Sequence, residues 1–118
     1  MSHNQMLGKT GENIAALFFE EKGYTIIHRN WRSRAGEIDL IVRKGDEWRF
    51  IEVKMRSNTK YGYPEEAVTE YKSDNFYTSI ADFLAKNAQI SEENVHADIL
   101  AIIVNDRQFD IRWIEDGV

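Results

Sequence analysis

Two stretches of alternating apolar and polar residues lie on either side of the turn signal Lys44-Gly45-Asp46, within residues 36–56. Such alternation is typical of β-strands, because successive side chains point to opposite faces of a sheet. In the first strand, one predicted face carries Glu37, Asp39 and Ile41, and the other carries Ile38, Leu40 and Val42. In the second strand, one predicted face carries Glu52, Lys54 and Arg56, opposite Ile51, Val53 and Met55. A hairpin would therefore bring Asp39, Glu52 and Lys54 onto one surface.

The rest of the pattern predicts two helices and three further strands. A first helix covers residues 8–22, and a second opens at Pro64 and reaches about residue 87, while strands cover 24–31, 97–104 and 108–114. Because a long helix separates the hairpin from the apolar run 97–104, that run can pair in parallel with the third strand. We expect an α/β fold, a mixed central sheet flanked by helices, in the order α-β-β-β-α-β-β.

The first helix carries an acid, Glu12, close to its predicted start. Ile14, Leu17 and Phe18 follow helical spacing, whereas Glu12 shares a side with Ala15, Ala16 and Phe19. An acid in a first helical turn complements the helix dipole, which is a sufficient structural reason for Glu12. A functional Glu12 would instead reach from the helix toward the acidic face of the hairpin.

Length and composition limit the class of protein. With 118 residues, the chain fits a single domain spanning 1–118. It has no cysteine, so neither a disulfide framework nor a thiolate metal site is expected. No apolar run approaches the roughly 20 residues of a membrane helix, and the first residues do not resemble a secretory signal. We therefore expect a cytoplasmic protein with no membrane partner.

Charge is distributed unevenly along the chain. The formal net charge is −5, but residues 29–60 hold nine basic and five acidic side chains, a net +4. Residues 61–118 hold four basic and twelve acidic side chains, a net −8. A basic zone around an acidic cluster suits a site that handles phosphate. The alternative is a solvated strand edge whose Lys and Arg residues discourage aggregation.

The chemistry of the hairpin depends on Asp39 and on the triplet Glu52-Val53-Lys54 thirteen residues later. Two carboxylates from neighbouring strands, with the Val53 carbonyl, could hold Mg²⁺, which stabilises charge on a phosphoryl group during hydrolysis. Lys54 could then orient the attacking water and offset charge on the phosphate. The alternative is an ion pair from Lys54 to Asp39 or Glu52, which stabilises an exposed surface by only about 0.2–1 kcal/mol.

Several short motifs together resemble a known family. Gly36-Glu37-Ile38-Asp39-Leu40-Ile41 and Glu52-Val53-Lys54-Met55-Arg56 look like the core of the PD-(D/E)XK nucleases. Over roughly residues 8–104 the chain more narrowly resembles the YraN-like family, small bacterial proteins with a restriction-endonuclease-like fold. Further motifs that fall in that pattern are Gly8-Lys9-Thr10-Gly11-Glu12, Gly23-Tyr24, Arg29-Asn30-Trp31-Arg32, Tyr61-Gly62, Pro64-Glu65-Glu66-Ala67-Val68 and Lys72.

The resemblance implies roles for the acidic residues. Asp39 and Glu52 would be metal ligands, Lys54 the catalytic lysine, and Glu12 an additional acid donated by the first helix, as in related Holliday-junction resolvases. Glu37 would either bind a second ion or support Asp39. The implied activity is that of an Mg²⁺- or Mn²⁺-dependent endonuclease that cuts DNA, with branched or otherwise structured DNA as a candidate substrate.

The surface around the implied site is less typical of that family. Ser73-Asp74-Asn75-Phe76-Tyr77 replaces a stretch that is usually basic, and His96 stands where an arginine usually precedes the final core aspartate. We expect DNA phosphates to contact Arg32, Arg56 and Lys72. A homodimer would supply the two sites that cutting both strands requires. The alternative is a catalytically silent nuclease-fold module that binds nucleic acid or protein, or a metal-binding module of a larger complex.

Overall fold

The computed structural model describes residues 3–57, 70–105 and 108–118. Its elements follow the predicted order: α1 (His3–Glu21), β1 (Thr25–Arg32), β2 (Glu37–Lys44), β3 (Glu47–Arg56), α2 (Glu70–Ala85), a short 3₁₀ helix (Glu92–Asn94), β4 (Val95–Asn105) and β5 (Gln108–Ile114). The α/β class is confirmed. The predicted helix opening at Pro64 lies outside the described residues. Within the part described, neither α-helix is long and apolar enough to cross a membrane.

The five strands form one mixed sheet in the spatial order β1-β2-β3-β4-β5. β1, β2 and β3 are antiparallel neighbours, and the two residues Gly45 and Asp46 connect β2 to β3. Gly45 has a positive φ of 61°, a conformation that glycine adopts at little cost. β4 pairs in parallel with β3, with Phe50 opposite Ala97, as predicted from the intervening helix. β5 returns antiparallel to β4 at the sheet edge.

Each α-helix covers one face of the sheet. On the α1 face, Ala15, Ala16 and Phe19 pack with Leu40, Val42, Ile51, Leu100 and Ile102. On the α2 face, Phe76, Ile80 and Phe83 pack with Trp48 and Phe50. The expectation that Leu17 belongs to the core stripe of α1 is wrong, because its side chain is 62% exposed. The small residues Gly11, Ala15 and Ala16 instead let this helix approach β3 closely, so its buried side is the one that carries Glu12.

The alternation of β2 breaks beside Asp39. Leu40 and Val42 pack on the α1 face as predicted, but Ile38 packs on the α2 face together with Ile41. The predicted grouping of Ile38 with Leu40 is therefore wrong. The paired positions on β1 are interrupted at Asn30, whose φ is +54°, between Arg29 opposite Leu40 and Trp31 opposite Ile38. The register is the same on both sides of Asn30, and the shift in register between β1 and β2 lies between Ile26 and His28.

A buried ion pair joins the starts of β3 and β4. Arg49 is 5% exposed and Asp98 is fully buried, and Arg49 Nη1 donates to Asp98 Oδ2 at 2.8 Å. Trp113 Nε1 donates to the same oxygen, and the Asp116 N–H donates to the other, each at 2.8 Å. Arg49 also pairs with Glu115 at 2.8 Å and lies over the Trp113 ring, 4.9 Å from its centroid. Asp98 therefore ties β5 and the following residues to the sheet.

Removing the Asp98 carboxylate should destabilise the fold strongly. In the Asp98→Ala variant, Arg49 and Trp113 would keep their burial but lose an acceptor. We expect a loss of about 3–5 kcal/mol in the free energy of unfolding, measured by urea titration, because the buried Arg49 guanidinium would keep only the more exposed carboxylates of Glu47 and Glu115 as partners. The exposed Asp110, which accepts from Asn105 Nδ2, provides the matched control: Asp110→Ala should cost less than about 1 kcal/mol. Equal effects at both positions would contradict the role given to Asp98.

Candidate functional site

Three carboxylates from α1 and β2 meet at one end of the sheet. Glu12, Glu37 and Asp39 each place an oxygen within 4.8 Å of the other two. α1 begins at His3, so Glu12 lies in the body of the helix rather than in its first turn, and the helix-dipole explanation for Glu12 is wrong. Close packing of Gly11 against Met55 and Val53 brings Glu12 to the sheet instead. We call Glu12, Glu37 and Asp39 the acid cluster.

Asp39 is the most perturbed member of the acid cluster. Its Oδ2 accepts the Val53 N–H at 2.8 Å, because β2 pairs with β3 only from Leu40 onward and leaves this N–H to the side chain. The pKa of Asp39 is raised to about 8. Burial is the largest cause, the negative charge of Glu52 is the second, and the charges of Glu12 and Glu37 contribute less. The hydrogen bond from the Val53 N–H offsets only part of this rise in the pKa.

Glu52 and Lys54 lie next to the acid cluster on β3, on the face opposite Ile51, Val53 and Met55. Lys54 Nζ is 3.1 Å from Glu52 Oε1, and the two side chains are 23% and 18% exposed. This is one of the two ion pairs considered from sequence alone. Although Glu52 raises the pKa of Asp39, the acid cluster groups Asp39 with Glu12 and Glu37 rather than with Glu52. Of the three predicted metal ligands, Asp39 and Glu12 lie in the acid cluster, whereas Glu52 lies beside it. Glu37, expected to bind a second ion or to support Asp39, belongs to the acid cluster itself.

The donor set of the acid cluster fits a hard divalent cation. Carboxylate oxygens are the ligands that Mg²⁺ and Mn²⁺ prefer. Two cations pair with acids of this region: Lys54 pairs with Glu52, and Arg32, which is 82% exposed, lies 4.0 Å from Glu37. A bound cation would offset the repulsion that raises the pKa of Asp39.

Asn30 is a site residue that sequence reasoning did not single out. Its Nδ2 donates to Glu12 Oε2 at 3.1 Å, and its φ is positive. The available signal was an asparagine inside a strand pattern, since asparagine is depleted in strands but tolerates positive φ. This contact holds the Glu12 carboxylate toward the acid cluster.

The three predicted phosphate contacts lie around this region to different extents. Arg32 is exposed at the end of β1 beside Glu37. Lys72, at the start of α2, lines a cavity together with Glu37 and Glu52. Arg56 is half-buried at the end of β3. The arrangement therefore places two of the three cations next to site acids.

The raised pKa of Asp39 predicts how stability changes with pH in metal-free protein. Between about pH 4 and pH 8 the folded chain keeps a proton on Asp39 that the unfolded chain releases, so stability falls as pH rises. The slope from this group reaches about 1.4 kcal/mol per pH unit. In EDTA, the Asp39→Asn variant should lose less stability than the parent between about pH 5 and pH 8, measured by urea unfolding. Parallel curves for the two proteins would contradict the assignment.

Comparison with known sequences identifies the family. The profile of "Uncharacterised protein family UPF0102" matches residues 11–111. A UPF0102 protein of Dictyoglomus turgidum is 35% identical over 111 residues, covering 94% of this chain and 93% of the relative. The UPF0102 protein of Syntrophomonas wolfei is 39% identical over 111 residues, covering 94% of this chain and 96% of the relative. That of Rhodococcus opacus is 42% identical over 104 residues, covering 88% of this chain and 87% of the relative. The chain therefore belongs to the UPF0102 family, the YraN-like family that its motifs resemble.

Proposed function

We propose that this protein is a divalent-metal-dependent endonuclease that hydrolyses phosphodiester bonds in DNA. The observation that carries the proposal is the acid cluster, in which Glu12 from α1 meets Glu37 and Asp39 from β2 with ligand oxygens within 4.8 Å of one another. Its place beside Glu52 and Lys54 supports the likeness to the PD-(D/E)XK nucleases, whose motifs these same residues match. The mixed sheet between two helices is consistent with such a fold.

In this proposal, Asp39 and Glu12 are the principal ligands of Mg²⁺ or Mn²⁺. Glu37 is within reach of the same ion, and Glu52 lies close enough to raise the pKa of Asp39 and can serve as a further ligand. The bound ion would supply Lewis-acid stabilisation of the charge that develops on the phosphoryl oxygens. The Val53 N–H fixes one oxygen of Asp39, so the other oxygen is oriented by the fold.

Lys54 is the proposed catalytic lysine. Its ammonium group is held beside the site by Glu52 at 3.1 Å, and the side chain is only 23% exposed. There it orients the attacking water and offsets charge on the scissile phosphate. A half-buried ammonium acts on this charge more strongly than an exposed one, because water screens it less.

DNA is the proposed partner, and its backbone is the part recognised. Arg32 and Lys72 lie beside site acids and provide phosphate contacts, and Arg56 at the end of β3 is the third candidate. Contacts of this kind position the strand without reading its sequence. Cutting both strands would use a homodimer, which stays a prediction.

The alternative is a nuclease-fold module that binds nucleic acid or protein without hydrolysis. The observation that favours it is charge: residues 61–118 carry a net −8, and the usually basic stretch of the family reads Ser73-Asp74-Asn75-Phe76-Tyr77. Negative charge on this scale weakens attraction to a polyanion. Catalysis and binding can be separated experimentally.

Cleavage assays test the enzymatic proposal directly. Linear, flapped and four-way-junction DNA would be incubated with the parent protein and Mn²⁺. Both Glu52→Ala and Lys54→Ala should slow hydrolysis by roughly 100- to 1,000-fold, because each removes a preorganised charge from the site. The exposed residues Glu93 and Lys86 supply matched controls, and Glu93→Ala and Lys86→Ala should cut at the parent rate. Activity that survives both site substitutions would contradict the assignment, whereas Mn²⁺ binding without cleavage of any substrate would favour the binding module.

Metal titration tests the contact between Asn30 and Glu12. Asn30→Ala and Asn30→Gly both remove the amide that orients Glu12, so each should weaken Mn²⁺ binding by roughly 10- to 100-fold in calorimetry. Only Asn30→Ala should also lower stability, by about 1 kcal/mol, because glycine accepts the positive φ.

Asn13 provides the control for this titration. It lies next to Glu12 on α1, and its side-chain oxygen accepts a hydrogen bond from Arg29. Asn13→Ala should bind Mn²⁺ like the parent. Unchanged affinity in both Asn30 variants would show that Asn30 does not position a ligand.

A further inference from the structure

A cavity of about 200 Å³ opens beside the acid cluster, between the start of β2, the middle of β3 and the first turns of α2. Glu37 and Glu52 line it, and both also belong to the candidate site. The rest of its lining includes Gly36, Lys72, Asn75, Phe76 and Ser79. A group that enters this cavity would therefore lie next to anything bound at the acid cluster.

Burial divides the lining into a neutral interior and a charged rim. Phe76 is 5% exposed and Ser79 is fully buried, and the Ser79 hydroxyl lies 2.8 Å from that of Ser33. Asn75 is half-buried, whereas Lys72 is exposed. A charged group would lose its hydration against Phe76, while a neutral group with polar edges could pair with the Asn75 amide. The interior around Phe76 and Ser79 thus suits an uncharged polar ring, and the charged groups of the lining are Lys72 and the carboxylates of Glu37 and Glu52.

We propose that this cavity is a subsite for one unpaired nucleobase of the DNA strand whose phosphate lies at the acid cluster. The inference rests on the proposed function and names its substrate class. A volume of about 200 Å³ is below the roughly 300–1,000 Å³ of pockets for drug-sized ligands, which suits a single base better than a base pair. The ring packs on Phe76, the Asn75 amide faces its polar edge, and the phosphate stays outside.

Occupation of the cavity selects among DNA structures. A base can enter a pocket between a helix and a strand only after it leaves the stack of the duplex. That step costs least where the base is already unpaired, as in a flap, a bulge or a single strand. The subsite therefore favours cleavage next to an unpaired nucleotide over cleavage within continuous duplex.

The binding step can be tested without metal or hydrolysis. The probe is deoxyadenosine, which has no phosphate, added at millimolar concentration to ¹⁵N-labelled protein in EDTA. Chemical-shift changes should centre on residues 35–36 and 75–79. They should disappear in Asn75→Trp, which fills the cavity, and weaken in Asn75→Leu, which is close in size but lacks the amide. Thr78 is exposed on the same helix and does not line the cavity, so Thr78→Trp should behave like the parent.

Cleavage then tests whether the subsite selects the substrate. With Mn²⁺, the parent should cut a duplex bearing one unpaired nucleotide at least roughly tenfold faster than a blunt duplex, about 1.4 kcal/mol of discrimination, and Asn75→Trp should lose that ratio. Absence of shifts in folded parent protein would overturn the subsite whatever the DNA result. Equal cleavage of both duplexes would also overturn it. Shifts centred on the cavity with no DNA cut would support the nucleoside site and count against the endonuclease proposal instead.

Discussion

The site depends on the position of Asp39, where β2 separates from β3. Pairing between these strands starts at Leu40, so the Val53 N–H lacks a strand partner and binds the Asp39 carboxylate. The same separation leaves room for Glu12 and Glu37 to approach. Repulsion among these acids and burial of Asp39 oppose its ionisation, and its pKa rises to about 8. The fold thus keeps an arrangement that costs stability unless a cation binds.

A second charged cluster, between β3 and β4, has the opposite balance. Asp98 is more buried than Asp39, yet it accepts hydrogen bonds from Arg49, Trp113 and the Asp116 N–H. Arg49 precedes Val53 by four residues, which separates the two clusters by about 13 Å along β3. The Arg49–Asp98 cluster carries its own cation and fastens β5 to the sheet. Among the described residues the acid cluster has no equivalent buried cation, and this difference distinguishes a candidate binding site from a structural ion pair.

Binary patterning predicted the parts of the fold in which strand geometry is regular. The hairpin around Gly45, the shared face of Glu52 and Lys54, and the parallel pairing of β3 with β4 follow from period-two alternation and the length of the crossover. The pattern did not predict that Ile38 and Leu40 lie in different core clusters or that Asn30 has a positive φ, because neither irregularity changes the alternation of residue types. It therefore misplaced Ile38 and missed the contact of Asn30 with Glu12.

Two side chains show why the site itself was only partly predictable. Leu17 and Phe19 both fit a helical stripe, and the choice between them depends on how closely Gly11, Ala15 and Ala16 can approach β3. That choice decides whether Glu12 faces the sheet. Helical spacing alone cannot make the choice, because it describes one helix and not the surface on which it packs. The family resemblance supplied Glu12 where periodicity did not.

The proposed base subsite also agrees with the weak electrostatics of the chain. Proteins that hold duplex DNA mainly through phosphates use many Lys and Arg residues, and their affinity falls steeply with salt. Here residues 61–118 carry a net −8, and among the described residues three cations, Lys54, Lys72 and Arg32, lie beside site acids. Packing of a base on an aromatic side chain depends little on net charge. An acidic protein can therefore hold an unpaired strand through one base and a few phosphates, while an uninterrupted duplex gains only the weaker phosphate contacts.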